Sequence, residues 1–266
     1  MRLLDALGVS ATQALACVGA GGKTTACWRA WLECRSPGAP AIFSTTTHIL
    51  EPVLPPDSAL YLSRDPDAAR VRSLVRSAAG LILAAARLPD VLMDVEPNPV
   101  APSRPVKVSG LQPEQIDRMI EQLPGITWLV EADGARGRSL KVPAAHEPAV
   151  PSRVSAVAVV AHLDVIDQPL DETLAHHADR VAEYFRMKMG DRVMSRHLTQ
   201  LLIDPRGGLK GVPAGARVAA VLNQRQAQQL HPQAESIAQS LLASGSYERV
   251  VVAALRAEHP VLEVFR

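Results

Sequence analysis

Aromatic side chains are scarce, with three each of Trp, Tyr and Phe among 266 residues. A protein that stacks bases along a groove needs more of them, which disfavours a single-stranded nucleic-acid platform. An excess of one charge is missing too: 28 Lys and Arg stand against 27 Asp and Glu, a formal net charge of +1. Proteins that coat nucleic acid or sit on membrane surfaces need a cationic excess. Cysteine is limited to Cys17, Cys27 and Cys34, an odd count with no CxxC pair. A disulfide scaffold is thereby excluded, and the cysteines read as small core residues in a reducing compartment. Apolar runs such as 81–86 and 156–161 fall far short of the roughly 18–20 residues that a membrane helix needs. Residues 1–16 carry Arg2 and Asp5 and lack an apolar stretch before a cleavage site, so they do not read as a signal peptide. The expectation is a soluble cytoplasmic protein with neither nucleic acid nor membrane as partner.

What is present is a large apolar fraction, 47% of the residues, sufficient for a substantial core. Short buried runs at 14–18, 39–44, 59–62, 81–86, 126–130, 154–161, 218–222 and 250–255 suit strands. Between them, helical spacing marks 24–34, 65–77, 113–122, 172–189, 194–203 and 226–242. Alternation of this kind predicts an α/β fold: a mostly parallel sheet of the P-loop NTPase-like type, with helices on both faces. Pro89, Pro97, Pro99, Pro102 and Pro105 make 89–105 an irregular segment or a set of edge strands. Repeats are absent and composition does not shift, so residues 1–266 read as one nucleotide-binding domain.

The sharpest chemical signal is Gly19-Ala20-Gly21-Gly22-Lys23-Thr24-Thr25, between the first strand and the first helix. Glycines let several backbone N–H groups face one anion, and the helix N-terminus adds its positive dipole end. Lys23, an exposed loop residue on this reading, would reach the terminal phosphates, and the Thr24 hydroxyl would sit on Mg²⁺. The full pattern places a glycine where Cys17 stands; the shorter GxxGKT form resembles the loop of Mur-type amide ligases. The competing reading is a plain β-to-α turn with a solvent-facing lysine.

A second signal is Glu131-Ala132-Asp133-Gly134, ending an apolar strand. Ligands of parallel sheets collect at the carboxyl ends of strands, and carboxylates there can hold Mg²⁺ or orient an attacking group, as on a Walker-B-type strand. Glu131 and Asp133 are two apart and share a side on a continuing strand. Thr46, within Thr45-Thr46-Thr47, ends the second strand and offers hydroxyls to phosphate or metal. Arg136, Arg138 and Lys141 form a cationic loop suited to phosphate or carboxylate groups. His146 is the candidate proton relay. His146-Glu147 and His176-His177 lack the spacing of a zinc site.

The run from Glu131 to Pro148, EADGARGRSLKVPAAHEP, joins with VGAGGKTT at 18–25 and STTTH at 44–48. Together they resemble the YqeC family, accessory proteins of selenium-dependent molybdenum hydroxylases. The likeness runs from Val18 to Asn223, with smaller matches at 107–110, 204–209 and 222–223. It implies a P-loop protein that binds ATP or GTP with Mg²⁺ and helps mature a molybdenum hydroxylase or its cofactor. The chain departs from the family at His176-His177-Ala178-Asp179, where relatives show His-Arg-Pro-Glu. It departs again at Asn223-Gln224-Arg225-Gln226, where relatives read Asn-Lys-x-Asp. A carboxylate in that last place reads guanine, so Gln226 removes the support for GTP selectivity and leaves ATP at least as good.

Two classes of function share these features. One is an enzyme: an NTPase, small-molecule kinase, nucleotidyltransferase or Mur-like ligase acting on a cofactor precursor. The other is an assembly factor that uses nucleotide as a switch for docking an apo-hydroxylase.

Overall fold

The computed structural model describes residues 1–36, 39–88 and 106–266; the proline-rich segment 89–105 lies outside the described residues. The parallel strands are β1 (Ala14–Gly19), β2 (Ala41–Thr45), β3 (Ser58–Leu62), β4 (Gly80–Ala84), β5 (Thr127–Glu131), β6 (Ala156–His162), β7 (Arg217–Asn223) and β8 (Arg249–Ala253). A final strand, β9 (Val261–Phe265), runs antiparallel to β8. They form a nine-stranded sheet in the order β9-β8-β7-β6-β1-β5-β2-β4-β3. The helices are α1 (Leu3–Leu7), α2 (Lys23–Cys34), α3 (Ala68–Ser77), α4 (Pro113–Gln122), α5 (Ala178–Phe185), α6 (Ser195–Ile203) and α7 (Ala234–Ala243). The architecture is the expected one: an α/β fold with a mostly parallel sheet, consistent with a P-loop NTPase-like arrangement.

Both faces of the sheet are apolar, as a covered parallel sheet requires. Along β1, Ala14, Ala16 and Val18 enter one core with α3, α4, α6 and α7, while Leu15 and Cys17 enter the other with α1 and α2. Trp31 of α2 is fully buried and its indole N–H donates to Ala41 O at 3.0 Å. Burial of a side chain that size is worth about 3 kcal/mol or more, and its polar atom is satisfied. No helix among the described residues is long and apolar enough to cross a membrane.

Several helix boundaries differ from the sequence expectation. The helix expected at 65–77 begins only at Ala68, because Asp67 caps it by accepting from Arg70 N at 2.7 Å. The expected helix 172–189 shrinks to α5. Asp171 turns the chain by accepting from Thr173 N and Leu174 N, and Ala175–His176 then pairs with Leu140–Lys141. The expected helix 226–242 starts at Ala234, since the buried Gln224 side chain holds the preceding turn open. Its Nε2 donates to Gln226 O at 2.5 Å and Gln229 O at 2.7 Å, and its Oε1 accepts from His231 N at 2.9 Å. Helix α1 and strand β9 were not expected at all.

Candidate functional site

Strand β1 lies between β5 and β6, with Cys17 opposite Glu131 and Gly19 opposite Val160. The parallel sense brings the ends of these strands to one edge, so the glycine-rich turn and the acidic residues meet there. The turn is made by Gly19, Gly21 and Gly22 at φ of +93°, +76° and +146°, conformations that carry little penalty only without a Cβ. Space demands glycine as well. A Cβ on Gly19 would strike the Val160 carbonyl, and one on Gly22 would come within 2.9 Å of Asn223 Nδ2. Ala20 N donates to Val160 O at 2.9 Å, and Asn223 Nδ2 donates to Gly21 O at 2.8 Å.

Lys23 opens α2 and is buried, not exposed as the sequence suggested, because the loop folds over it; its Nζ donates to Gly19 O at 2.6 Å. Burial lowers its pKa against the opposing pull of Asp133 and Glu131. Thr24 Oγ1 donates to Glu131 Oε1 at 3.0 Å. Glu131 is itself buried, and burial raises its pKa despite Lys23 and the Thr24 bond. Its other oxygen, Oε2, is buried with no hydrogen-bond partner. Asp133 Oδ2 accepts from Gly19 N at 3.2 Å. Burial also raises the Asp133 pKa, against Lys23 and Lys141. Carboxylates that burial pushes toward protonation beside an unfilled hydrogen-bonding position are what a hard cation would relieve. Among the described residues, no group of three or more His, Cys, Asp and Glu could hold a metal ion; Mg²⁺ shared with phosphates needs fewer protein ligands.

The other candidates divide into two groups. Lys141 joins the site but is fully committed: its Nζ pairs with Asp133, bonds Gly134 O and lies 2.8 Å from Glu147 Oε2. Burial raises the pKa of Glu147, but the Lys141 bond and the Ala144 N–H outweigh it, so Glu147 ends below its usual value. Thr46 lies at the same edge, its hydroxyl bonded to Ala149 O at 2.8 Å and its N–H to Glu131 O. Thr25 is half-buried in the first turn of α2. Arg136 and Arg138 are exposed on the loop after β5, and Arg136 holds a left-handed φ of +47°. His146 is exposed beside Glu147.

Sequence reasoning passed over His162, the polar end of an otherwise apolar β6, and the role of His176. The latter pairs with Lys141 in register, and its ring lies 4.1 Å from that of His177. Burial, then His177, Lys141 and Arg136, push its pKa down to about 4. The Asp-Pro-Arg-Gly-Gly-Leu stretch at 204–209 supplies Gly207 and Gly208 to a cavity of ≈ 30 Å³ beside Gly19, Ala20, Leu198 and Leu201. That is room for about one water molecule.

The family model of the YqeC protein matches residues 15–179, more than half of the chain. The chain belongs to the YqeC family. It is also similar to an uncharacterized YqeC protein of Escherichia coli (strain K12). The two are 27% identical over 214 residues, covering 77% of this chain and 73% of the relative. The YqeC match spans both the glycine-rich loop and the whole acidic and basic segment from Glu131 to His146.

Proposed function

We propose that this protein binds ATP or GTP with Mg²⁺ at the loop of Gly19, Ala20, Gly21 and Gly22. On this reading it spends the nucleotide, by hydrolysis or phosphoryl transfer, in maturing a molybdenum hydroxylase. The observation that carries the nucleotide reading is the meeting of Lys23, Thr24, Glu131 and Asp133 on one glycine turn, with Glu131 Oε2 left without a partner. Loop amides and Lys23 hold the phosphates, Lys23 exchanging its bond to Gly19 O for phosphate oxygens. Thr24, Glu131 and Asp133 would hold Mg²⁺, which when bound neutralises charge on the transferring phosphoryl group. Lys141 and Glu147 keep Asp133 in place. Arg136 meets anionic groups of the nucleotide or second substrate, Thr46 braces the edge, and His146 relays a proton from its exposed loop. The hydroxylase partner is supported by family resemblance alone.

A second reading is a small-molecule kinase, nucleotidyltransferase or Mur-like ligase, favoured by the exposed Arg136 and Arg138 beside the site, which suit an anionic acceptor. Nucleotide turnover measured with and without molybdenum cofactor, and with and without apo-hydroxylase, separates the two. Acceleration by the cofactor alone favours the small-molecule enzyme; acceleration by the partner protein alone favours hydroxylase maturation. Gln226 is exposed in the turn after β7, so ATP is expected to compete with GTP to within about tenfold, or 1.4 kcal/mol. A larger GTP preference counts against the role given to Gln226.

A further inference from the structure

His162 ends β6 and Asn223 ends β7, and the two are register partners. They grip the phosphate loop from two sides. Asn223 Nδ2 donates to Gly21 O, while a Cβ on Gly21 would lie 2.5 Å from His162 Cβ and 3.2 Å from its Cγ. The histidine side chain thus rests on the bare Cα of the loop. His162 is only 9% exposed, and its Nδ1 accepts from Asp164 N at 3.2 Å. A ring nitrogen that accepts carries no proton, so in the neutral imidazole the proton is on Nε2. Burial keeps the ring neutral: it lowers the pKa, and Arg225 and Arg256 reinforce it against Asp164. Arg225 in turn lies 3.5 Å from Asp164, steadying the residue that fixes the tautomer. Among the described residues, Nε2 has no hydrogen-bond acceptor.

We propose that His162 Nε2–H is a phosphate-contacting donor of this site, giving a hydrogen bond from β6 to an oxyanion of the bound polyphosphate. The inference rests on the nucleotide reading above. Chemically it complements Lys23: a neutral N–H adds a directional bond without a second buried cation to desolvate. It also gives Gly21 a reason beyond its φ, since any side chain there would push the imidazole away from the loop.

The test uses two substitutions that split the ring's two functions. His162→Asn retains an acceptor for the Asp164 N–H and removes the Nε2 donor, whereas His162→Gln restores a donor at the longer reach. Wild type and variants are titrated calorimetrically with MgATP and with inorganic tripolyphosphate, which has no base or sugar. The expected result is that His162→Asn binds both probes about tenfold more weakly with an unchanged melting temperature, and that His162→Gln recovers to within about threefold. Wild-type affinity for both probes in His162→Asn overturns the inference and leaves the nucleotide reading standing. Failure of the wild-type protein to bind either probe overturns both. Should His162→Asn not fold, the wild-type imidazole ¹⁵N spectrum decides: tripolyphosphate is expected to shift Nε2, and an unmoved resonance overturns the assignment.

Discussion

Thr24 Oγ1 and Glu131 Oε1 are 3.0 Å apart, a bond that ties the first turn of α2 to the end of β5 across 107 residues of chain. It makes the glycine-rich loop and the acidic strand one unit, and it fixes one oxygen of Glu131 while the other stays without a partner. The consequences of that unit can be measured.

Lys23→Ala is expected to weaken MgATP binding by about a hundredfold or more, since a charge-assisted contact to phosphate is lost. Because Lys23 is buried against Glu131 and Asp133, its removal also leaves two buried carboxylates without their cation. A change in melting temperature should therefore accompany the loss of binding. Isothermal calorimetry and thermal unfolding on the same protein check both; wild-type affinity would refute the phosphate role.

Glu131→Gln and Asp133→Asn should impair Mg²⁺-dependent turnover at least tenfold while changing nucleotide affinity by less than about threefold. Glu131 carries a further signature. Its folded-state pKa is raised by burial, so its ionisation costs stability as pH rises through that value, and an amide avoids the cost. Metal-free Glu131→Gln is expected to melt higher than wild type at neutral pH, by about 2–4 °C for each kcal/mol relieved. Parallel loss of binding and turnover, or a lower melting point, would contradict this account.

Gly19→Ala and Gly137→Ala separate backbone conformation from close approach. Both positions have positive φ, +93° and +75°, so both substitutions meet a similar conformational penalty of about 1 kcal/mol. At Gly137 a Cβ finds nothing within 4 Å, whereas at Gly19 it strikes the Val160 carbonyl. Gly19→Ala should cost at least about 2 kcal/mol more in denaturant unfolding and abolish nucleotide binding. Equal costs would show that β6 can give way.

Burial, then His177, Lys141 and Arg136, push the His176 pKa down to about 4 from an ordinary imidazole value near 6.5. The folded state then binds fewer protons than the unfolded one between those values. Its contribution is present above pH 6.5 and is lost as pH falls toward 4. Solvent screening of the partly exposed ring limits the effect to about 1 kcal/mol. His176→Asn should flatten the stability–pH curve across that interval; an unchanged slope would mean that other groups set it.

The sheet was legible because its strands are short continuous apolar runs. What sequence hid depends on side chains reaching across space. Asp171 and Gln224 stop two helices by bonding to backbone groups that only the folded turn presents. Lys141 read as a free cation, yet it is enclosed by Asp133 and Glu147 once the loop after β5 returns over the edge. His162 drew no reading from the sequence, since its value lies in touching Gly21, a residue of a different strand's loop. Five-residue α1 and the half-buried β9 carry too little periodicity to stand out.

Strand β9 has a bearing on solubility. It pairs against β8, whose Arg-Val-Val-Val-Ala sequence has four buried residues and strong β propensity. With β9 docked, the row of backbone groups on that side of β8 is used up by an antiparallel neighbour carrying Glu263. Without β9, β8 would be an open edge whose run from Val250 to Ala253 carries no charge, the kind of edge on which another strand can add. The last strand of the sheet therefore covers the edge of β8, as natural sheets cover apolar edges that would otherwise be open to pairing with another chain.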